Sequence, residues 1–267
     1  SSRNSEIFFF GSKLVKRFGN VQFMPLLYLN KRTHFHPVTA RINEADTLVG
    51  GIDLQADYDH RFGVLTGGVT MRADDQDSDA YTYADILTTP SGRILSTMSD
   101  EAGDQMRRLN RSTQLYGIYA QASMRLGSRW RLDVGARYDR ITFDVKGFEW
   151  IDYSWSRGQY VKGEGAIDTV KTYTAFSPRV GVVYRLNDSL NLYGNVSSGT
   201  QTPTSDELTV NPELDLTEVR NYEVGLKLNR PNLSFETAVY YSPVLDEVVQ
   251  VIQPFGETEY VNAGETE

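Results

Sequence analysis

Between residues 129 and 139 apolar and polar positions alternate without a break. Trp130, Leu132, Val134, Ala136 and Tyr138 fall on one side, and Arg129, Arg131, Asp133, Gly135, Arg137 and Asp139 on the other. A period of two is the mark of a β-strand with one apolar and one polar face. The stretch before it repeats the pattern, with Tyr116, Ile118, Ala120, Ala122, Met124 and Leu126 opposite Gly117, Gln121, Ser123 and Arg125. Only Gly127 and Ser128 separate the two, which predicts a hairpin with a tight turn.

Four more hairpins follow from the same reading. Residues 47–59 and 64–73 join at His60–Gly63, 174–186 and 190–199 at Asn187–Asp188–Ser189, and 218–229 and 233–242 at Arg230–Pro231–Asn232. The first pair, 5–16 and 20–30, is less regular because Phe8, Phe9, Phe10 and Pro25 blur its alternation. This makes ten strands, with an eleventh starting near Thr258. The connections between hairpins, residues 31–46, 74–113, 144–172 and 200–217, are long, polar and rich in Gly, Asp, Ser and Thr. They are expected to be loops crowding one end of the sheet, opposite the short turns. The predicted strands are about twice the ~5–6 residues usual in soluble proteins and match a tilted strand crossing a bilayer. The pattern therefore favours an all-β fold, a transmembrane antiparallel meander β-barrel, over a soluble β-sandwich. Trp130, Tyr116, Tyr138, Tyr184 and Tyr222 lie near the ends of their apolar faces, where interfacial aromatics belong.

Composition narrows the chemistry. The 267 residues carry a formal charge of −8, unsuited to binding nucleic acid. With no Cys, disulfides, thiolate metal sites and cysteine nucleophiles are ruled out. The longest nearly apolar stretches, residues 7–11 and 23–29, fall far short of the roughly 20 residues of a membrane-spanning helix.

Several segments resemble the barrel of TonB-dependent outer-membrane receptors. They are VGARYD at 134–139, SPRVGVVYRL at 177–186, LNLYGNVSSG at 190–199 with TPTSDEL at 202–208, NPELDLTEVRNYEVGLKL at 211–228, FETAVYYSPVLDEVVQ at 235–250 and YVNAGETE at 260–267. The resemblance is strongest over residues 113–267. It implies that the NP-x-L segment at 211–214 leads from an extracellular loop into a strand, and that an Asp-Glu-hydrophobic strand end precedes an Asn-Ala-Gly return. It also implies a 22-stranded barrel, an N-terminal plug and an energy-coupling box. Residues 1–267 therefore read as part of such a barrel, ten to eleven strands without plug or remaining strands, cropped or truncated; the alternative is a natural barrel of 10 or 12 strands.

By the same resemblance the protein lies in the outer membrane of a Gram-negative bacterium. Its implied partners are a ferric siderophore or similar chelate, the TonB energy-transducing complex acting through the plug, and outer-membrane lipid and lipopolysaccharide. No cofactor and no enzymatic reaction are implied. A passive porin and a soluble β-rich carbohydrate-binding module are the competing functions.

Side chains that carry chemistry are few. His34 and His36 are spaced for a shared strand face but lack an evident third ligand, and His60 falls in a turn. The run Asp74, Asp75, Asp77, Asp79 fails the calcium-loop pattern, with Ala80 and Ile86 where Gly and Glu are needed. No nucleophile stands beside a histidine, so no catalytic residue is assigned. Mixed charges are expected on the inner wall: Arg125, Arg131, Asp133, Arg137, Asp139, Arg179, Arg185, Glu223 and Lys227. Candidate ligand contacts are Arg137 and Arg179 on the wall, and Tyr81, Tyr83, Trp150, Tyr153, Trp155 and Arg157 in the two longest connections, which also hold Arg93, Arg107, Arg108 and Tyr160. Aromatic and Arg side chains together suit planar, anionic ligands; packing between loops is the competing role for them.

Overall fold

The computed structural model describes residues 4–252 and 258–266. In chain order the strands are β1 (Asn4–Lys13), β2 (Lys16–Phe18), β3 (Val21–Val38), β4 (Arg41–His60), β5 (Gly63–Tyr83), β6 (Ile86–Thr88), β7 (Ile94–Thr97), β8 (Ala102–Leu126), β9 (Trp130–Ser154), β10 (Gln159–Arg185) and β11 (Leu190–Gln201). A short helix α1 (Ser205–Val210) follows, then β12 (Thr217–Arg230), β13 (Leu233–Tyr241), β14 (Val244–Ile252) and β15 (Thr258–Thr266). Among the described residues thirteen strands form one antiparallel meander, and β6 and β7 make a separate hairpin. Because β2 continues β1 along β3, and β13 and β14 both lie along β12, the meander makes eleven passes, as the alternation predicts. Its end strands are β1 and β15, and the described residues do not pair them.

Register gives the sheet its two faces. Val21, Tyr58, Leu65, Ala122, Val134, Val180, Val196, Tyr222 and Tyr241 are cross-strand neighbours from β3 to β13. One residue along each strand the row is Gln22, Asp57, Thr66, Gln121, Gly135, Arg179, Ser197 and Asn221. A one-residue slip anywhere would interleave the rows, so lipid on one side and water on the other fix the pairing. The apolar face is bare: Ile118 is 59% exposed, Val180 51% and Val224 62%, a continuous apolar surface suited to lipid and costly in water. From Trp130 to Tyr138 is about 26 Å along the strand at a rise of ~3.3 Å per residue, close to the ~25 Å apolar band of outer-membrane barrels. The ring of Trp130 packs 4.4 Å from that of Tyr184, and Tyr222 stacks 6.2 Å from Tyr241, which places aromatic pairs at the band's edges.

The long connections differ from the sequence reading. Residues 31–46 continue β3 and β4 as a hairpin closed by Thr39 and Ala40. Residues 74–113 lengthen β5 and β8 and enclose β6 and β7. Residues 144–172 lengthen β9 and β10, which are 25 and 27 residues long, around a turn at Trp155–Gly158. The reason is an inversion of polarity. Past the band, the face that was polar becomes apolar, with Leu109, Phe143 and Val145 buried, and the former lipid face becomes polar, with Asp144 bonded to Lys146 at 2.9 Å and Asp79 to Arg108 at 2.8 Å. Outside the membrane the outer face meets water and the inner face packs, so the alternation persists with its sign reversed.

Residues 202–216 do not project outward. They fold onto the inner face of β9 and β10, where Leu208 and Leu214 are fully buried against Phe143 and Tyr173, with Ile141, Leu216, Val248 and Tyr260 around them.

Candidate functional site

At the level of the lipid band the inner wall is a bonded polar surface. Arg137 forks onto Asp139 at 2.6 and 2.7 Å and lies 5.7 Å from the ring centre of Tyr119, whose hydroxyl donates to Gln55 at 3.1 Å. Gly117 makes this possible, because a Cβ there would collide with both Arg137 and Asp139. Arg179 donates to Gln121. Both candidate arginines therefore face inward, as expected, and both are engaged with the wall.

Above the band the hairpin ends knit together. The hydroxyl of Tyr160 on β10 donates to Ala40 O at 2.9 Å and accepts from Tyr83 N at 3.3 Å, while the Tyr83 hydroxyl donates to Val38 O at 2.8 Å. Burial pushes both phenols above their ordinary pKa. The ring of Tyr153 stands 5.9 Å from Tyr160 and 5.0 Å from Trp155. The β6–β7 hairpin ties to the same turn through Ile94 N donating to Gly158 O at 2.8 Å. Of the candidate residues, Tyr83, Tyr153 and Trp155 are brought together. Arg157 lies in that turn with its side chain exposed. Trp150 and Tyr81 are placed elsewhere: Trp150 packs 5.0 Å from Phe148, and Tyr81 lies beside Asp79, Glu44 and Arg108.

The inward segment forms a third region, which the sequence reading assigned to a polar loop. A reciprocal cap starts α1: Thr204 Oγ1 accepts from Glu207 N at 3.2 Å, and a Glu207 carboxylate oxygen accepts from Thr204 N at 2.6 Å. Asn211 Nδ2 donates to Tyr260 O at 2.8 Å; Asn262 Oδ1 accepts from Asp215 N at 2.9 Å, and its Nδ2 donates to Asp246 O at 2.7 Å. The Asn residues of the NPEL and VNAG motifs are thus the staples that hold the segment to β14 and β15. Tyr173 donates to Leu214 O at 2.6 Å, and burial, with the Asp215 charge second, pushes its phenol up to about 12.

Arg111, which the sequence reading did not single out, meets this segment. Its side chain is only 10% exposed, and its Nη2 donates to Asp206 at 2.5 Å. Nη1 donates to Ser78 at 2.6 Å. Arg107 and Arg41 lie close enough for their charges to act on one another. The signal was present in the sequence as alternation: Arg107, Leu109 and Arg111 share a face, legible only once β8 is known to run to Ala102. Among the described residues no cluster of three or more His, Asp or Glu is arranged to hold a metal ion; the rings of His34 and His36 lie 5.3 Å apart on β3, tilted by 57°.

A family model described as TonB dependent receptor-like, beta-barrel, matches residues 10–267. The chain belongs to that family. Its fold is similar to that of the copper transporter OprC, with a TM-score of 0.76 at 18% identity over 96% of this chain and 42% of that one. The siderophore receptor PiuA from Acinetobacter baumannii gives 0.70 at 15% identity, over 98% and 43%. The ferric citrate transporter FecA, unliganded, gives 0.62 at 18% identity, over 92% and 35%. At such identities the likeness shows the fold, and the chain spans about two fifths of the length of these structures. As a TonB-dependent receptor barrel it lies in the outer membrane of Gram-negative bacteria, in keeping with its bare apolar band.

Proposed function

We propose that these eleven passes are part of a larger receptor barrel that takes up a scarce metal chelate, a ferric siderophore in the first instance, using energy delivered by the TonB complex through a plug domain. The single observation that carries the reading is the family match across residues 10–267. Membership alone leaves the chelate open: the similar structures include a copper transporter and a ferric citrate transporter.

In this reading the mouth residues Tyr83, Tyr153, Trp155 and Arg157 meet the chelate first, with Trp155 66% exposed and available for stacking. Tyr81 and Trp150 lie on β5 and β9 apart from this cluster and are not counted among its contacts, while Arg137 and Arg179 line the path below. Lipid and lipopolysaccharide cover the outer face. A passive porin is the one competing reading with an observation in its favour, because residues 202–216 fold inward as a constriction would. Family membership weighs against it. Growth of a metal-starved strain on single ferric or cupric chelates, with and without the intact receptor, tests the proposal. Growth that depends on the receptor for at least one chelate supports it, and growth indifferent to the receptor across the panel contradicts it.

A further inference from the structure

The inner face above the lipid band concentrates positive charge around one exposed carboxylate, that of Asp206. Arg41, Arg107 and Arg111 are all partly or largely buried there. Burial, with the Arg107 charge second, holds Arg41 below its ordinary pKa, so the arrangement is costly unless anions compensate it. Three carboxylates act on Arg41: Asp206, Asp152 and Glu149. Asp152 and Glu149 belong to β9; Asp206 comes from the inward segment. Neither Arg41 nor Arg107 makes an ion pair within 4 Å among the described residues. Arg111 Nε is buried with no hydrogen-bond partner among the described residues, so this donor is unused while both Nη nitrogens donate to Gln76, Ser78 and Asp206. Asp206, by contrast, is 74% exposed, and an incoming anion can reach the pair from the lumen.

We propose that Arg41, Arg107 and Arg111 form a carboxylate-receiving site whose resident occupant is Asp206, and that a chelate bearing carboxylates takes its place and frees residues 202–216 from the wall. A guanidinium presents two parallel N–H donors to a carboxylate, and Asp206 uses one nitrogen of Arg111. A ligand with two or three carboxylates engages more of the cluster at once. Loss of the Asp206 contact removes the polar anchor at the N-terminal side of the segment and leaves it held by Leu208, Leu214, the Tyr173 hydroxyl bond to Leu214 O and the Asn211 and Asn262 bonds. Ligand occupancy is thereby converted into movement of a segment inside the lumen. The proposal rests on the uptake reading and narrows it to anionic, carboxylate-bearing chelates.

The test uses the full-length receptor in detergent and citrate without metal as the probe. Affinity is measured by calorimetry, and amide exchange is followed over residues 205–216. Citrate is expected to speed exchange across this segment about tenfold. Asp206→Asn removes the internal competitor and is expected to bind citrate about tenfold tighter, with exchange already fast. Arg111→Gln and, separately, Arg107→Gln are expected to bind citrate more weakly, with heat-modifiable gel mobility showing that each barrel has folded. Citrate binding that leaves the exchange of 205–216 unchanged, equal affinity in wild type and Asp206→Asn, or no citrate binding would each overturn the proposal. A receptor that shows the citrate response yet supports no growth on any chelate retains the latch and loses the uptake reading; the opposite pair of results does the reverse.

Discussion

Tyr160 and Ala40, 120 residues apart in the chain, are joined by a hydrogen bond of 2.9 Å. Tyr160 belongs to β10 and Ala40 to the β3–β4 turn, with β5, β8 and β9 between them in the sheet. The bond therefore draws the hairpin ends together across the inner face, and it gives the mouth a fixed shape before any ligand arrives. Tyr160→Phe leaves the Ala40 carbonyl and the Tyr83 amide without this partner, at a cost of about 1 kcal/mol. Amide exchange at residues 38–42 and 83 is expected to rise roughly fivefold; unchanged exchange there would show that the rings alone hold the hairpins.

The faces of β9 differ sharply in what they tolerate. Val134→Arg puts a charge into the lipid band and is expected to destabilise the intact barrel by about 2–4 kcal/mol. Asp133→Asn removes an ion pair with Arg131, 3.0 Å long, in which both side chains are more than a third exposed; its cost is expected to stay below ~1 kcal/mol. Reversible unfolding of the full-length barrel in lipid measures both, and similar losses would contradict the assignment of faces.

Tyr173 makes docking of the inward segment sensitive to alkali. Its phenol is raised from 10.0 to about 12 in the docked state, and undocking returns it toward the ordinary value. The docked form then holds the proton more tightly, so its advantage is complete below pH 10 and is lost as the pH rises toward 12. Tyrosinate absorbance with exchange over 205–216 should show release in that window, and Tyr173→Phe should abolish the pH step. A step that survives in Tyr173→Phe would assign it to another group.

Asn262 secures the same segment from β15. Asn262→Ala removes its bonds to Asp215 and Asp246 and is expected to weaken docking by about 1–3 kcal/mol. Faster exchange at residues 211–217 with unchanged exchange in the lipid band is the expected pattern; no change in either would show that the staples are redundant with the Leu208 and Leu214 contacts.

What the sequence revealed depended on which solvent each face meets. Within the band, lipid and lumen water impose opposite demands, so Val134 and Asp133 announce their faces and even the turns at Gly127 and Asn187 are legible. Beyond it, Phe143 and Asp144 still alternate, but with reversed polarity and with polar side chains on the outer face, and the stretch reads as loop. The candidate site inherited that error. Tyr83, Tyr153 and Trp155 do converge, because all three sit at hairpin ends. Trp150 parts from Tyr153, because residues an odd number apart on one strand face opposite ways. The contact between Arg111 and Asp206 was hidden for a different reason: it spans 95 residues and depends on the 202–216 segment folding inward, which no local pattern encodes.

Trp155 and Arg157 test the mouth directly. Each substitution to Ala, in cells displaying normal amounts of intact receptor, is expected to weaken chelate binding severalfold, about 1 kcal/mol apiece. Unchanged affinity in both would leave these residues to packing of the β9–β10 turn against β7.

Whether uptake is energy-coupled is decided by the accumulation of radiolabelled metal chelate in cells carrying the intact receptor, with and without a protonophore and with and without TonB. Surface binding is expected to persist in every condition, while accumulation falls to background when either the proton gradient or TonB is removed. Accumulation that continues at the same rate in their absence would rule out energy coupling and make the protein a passive pore.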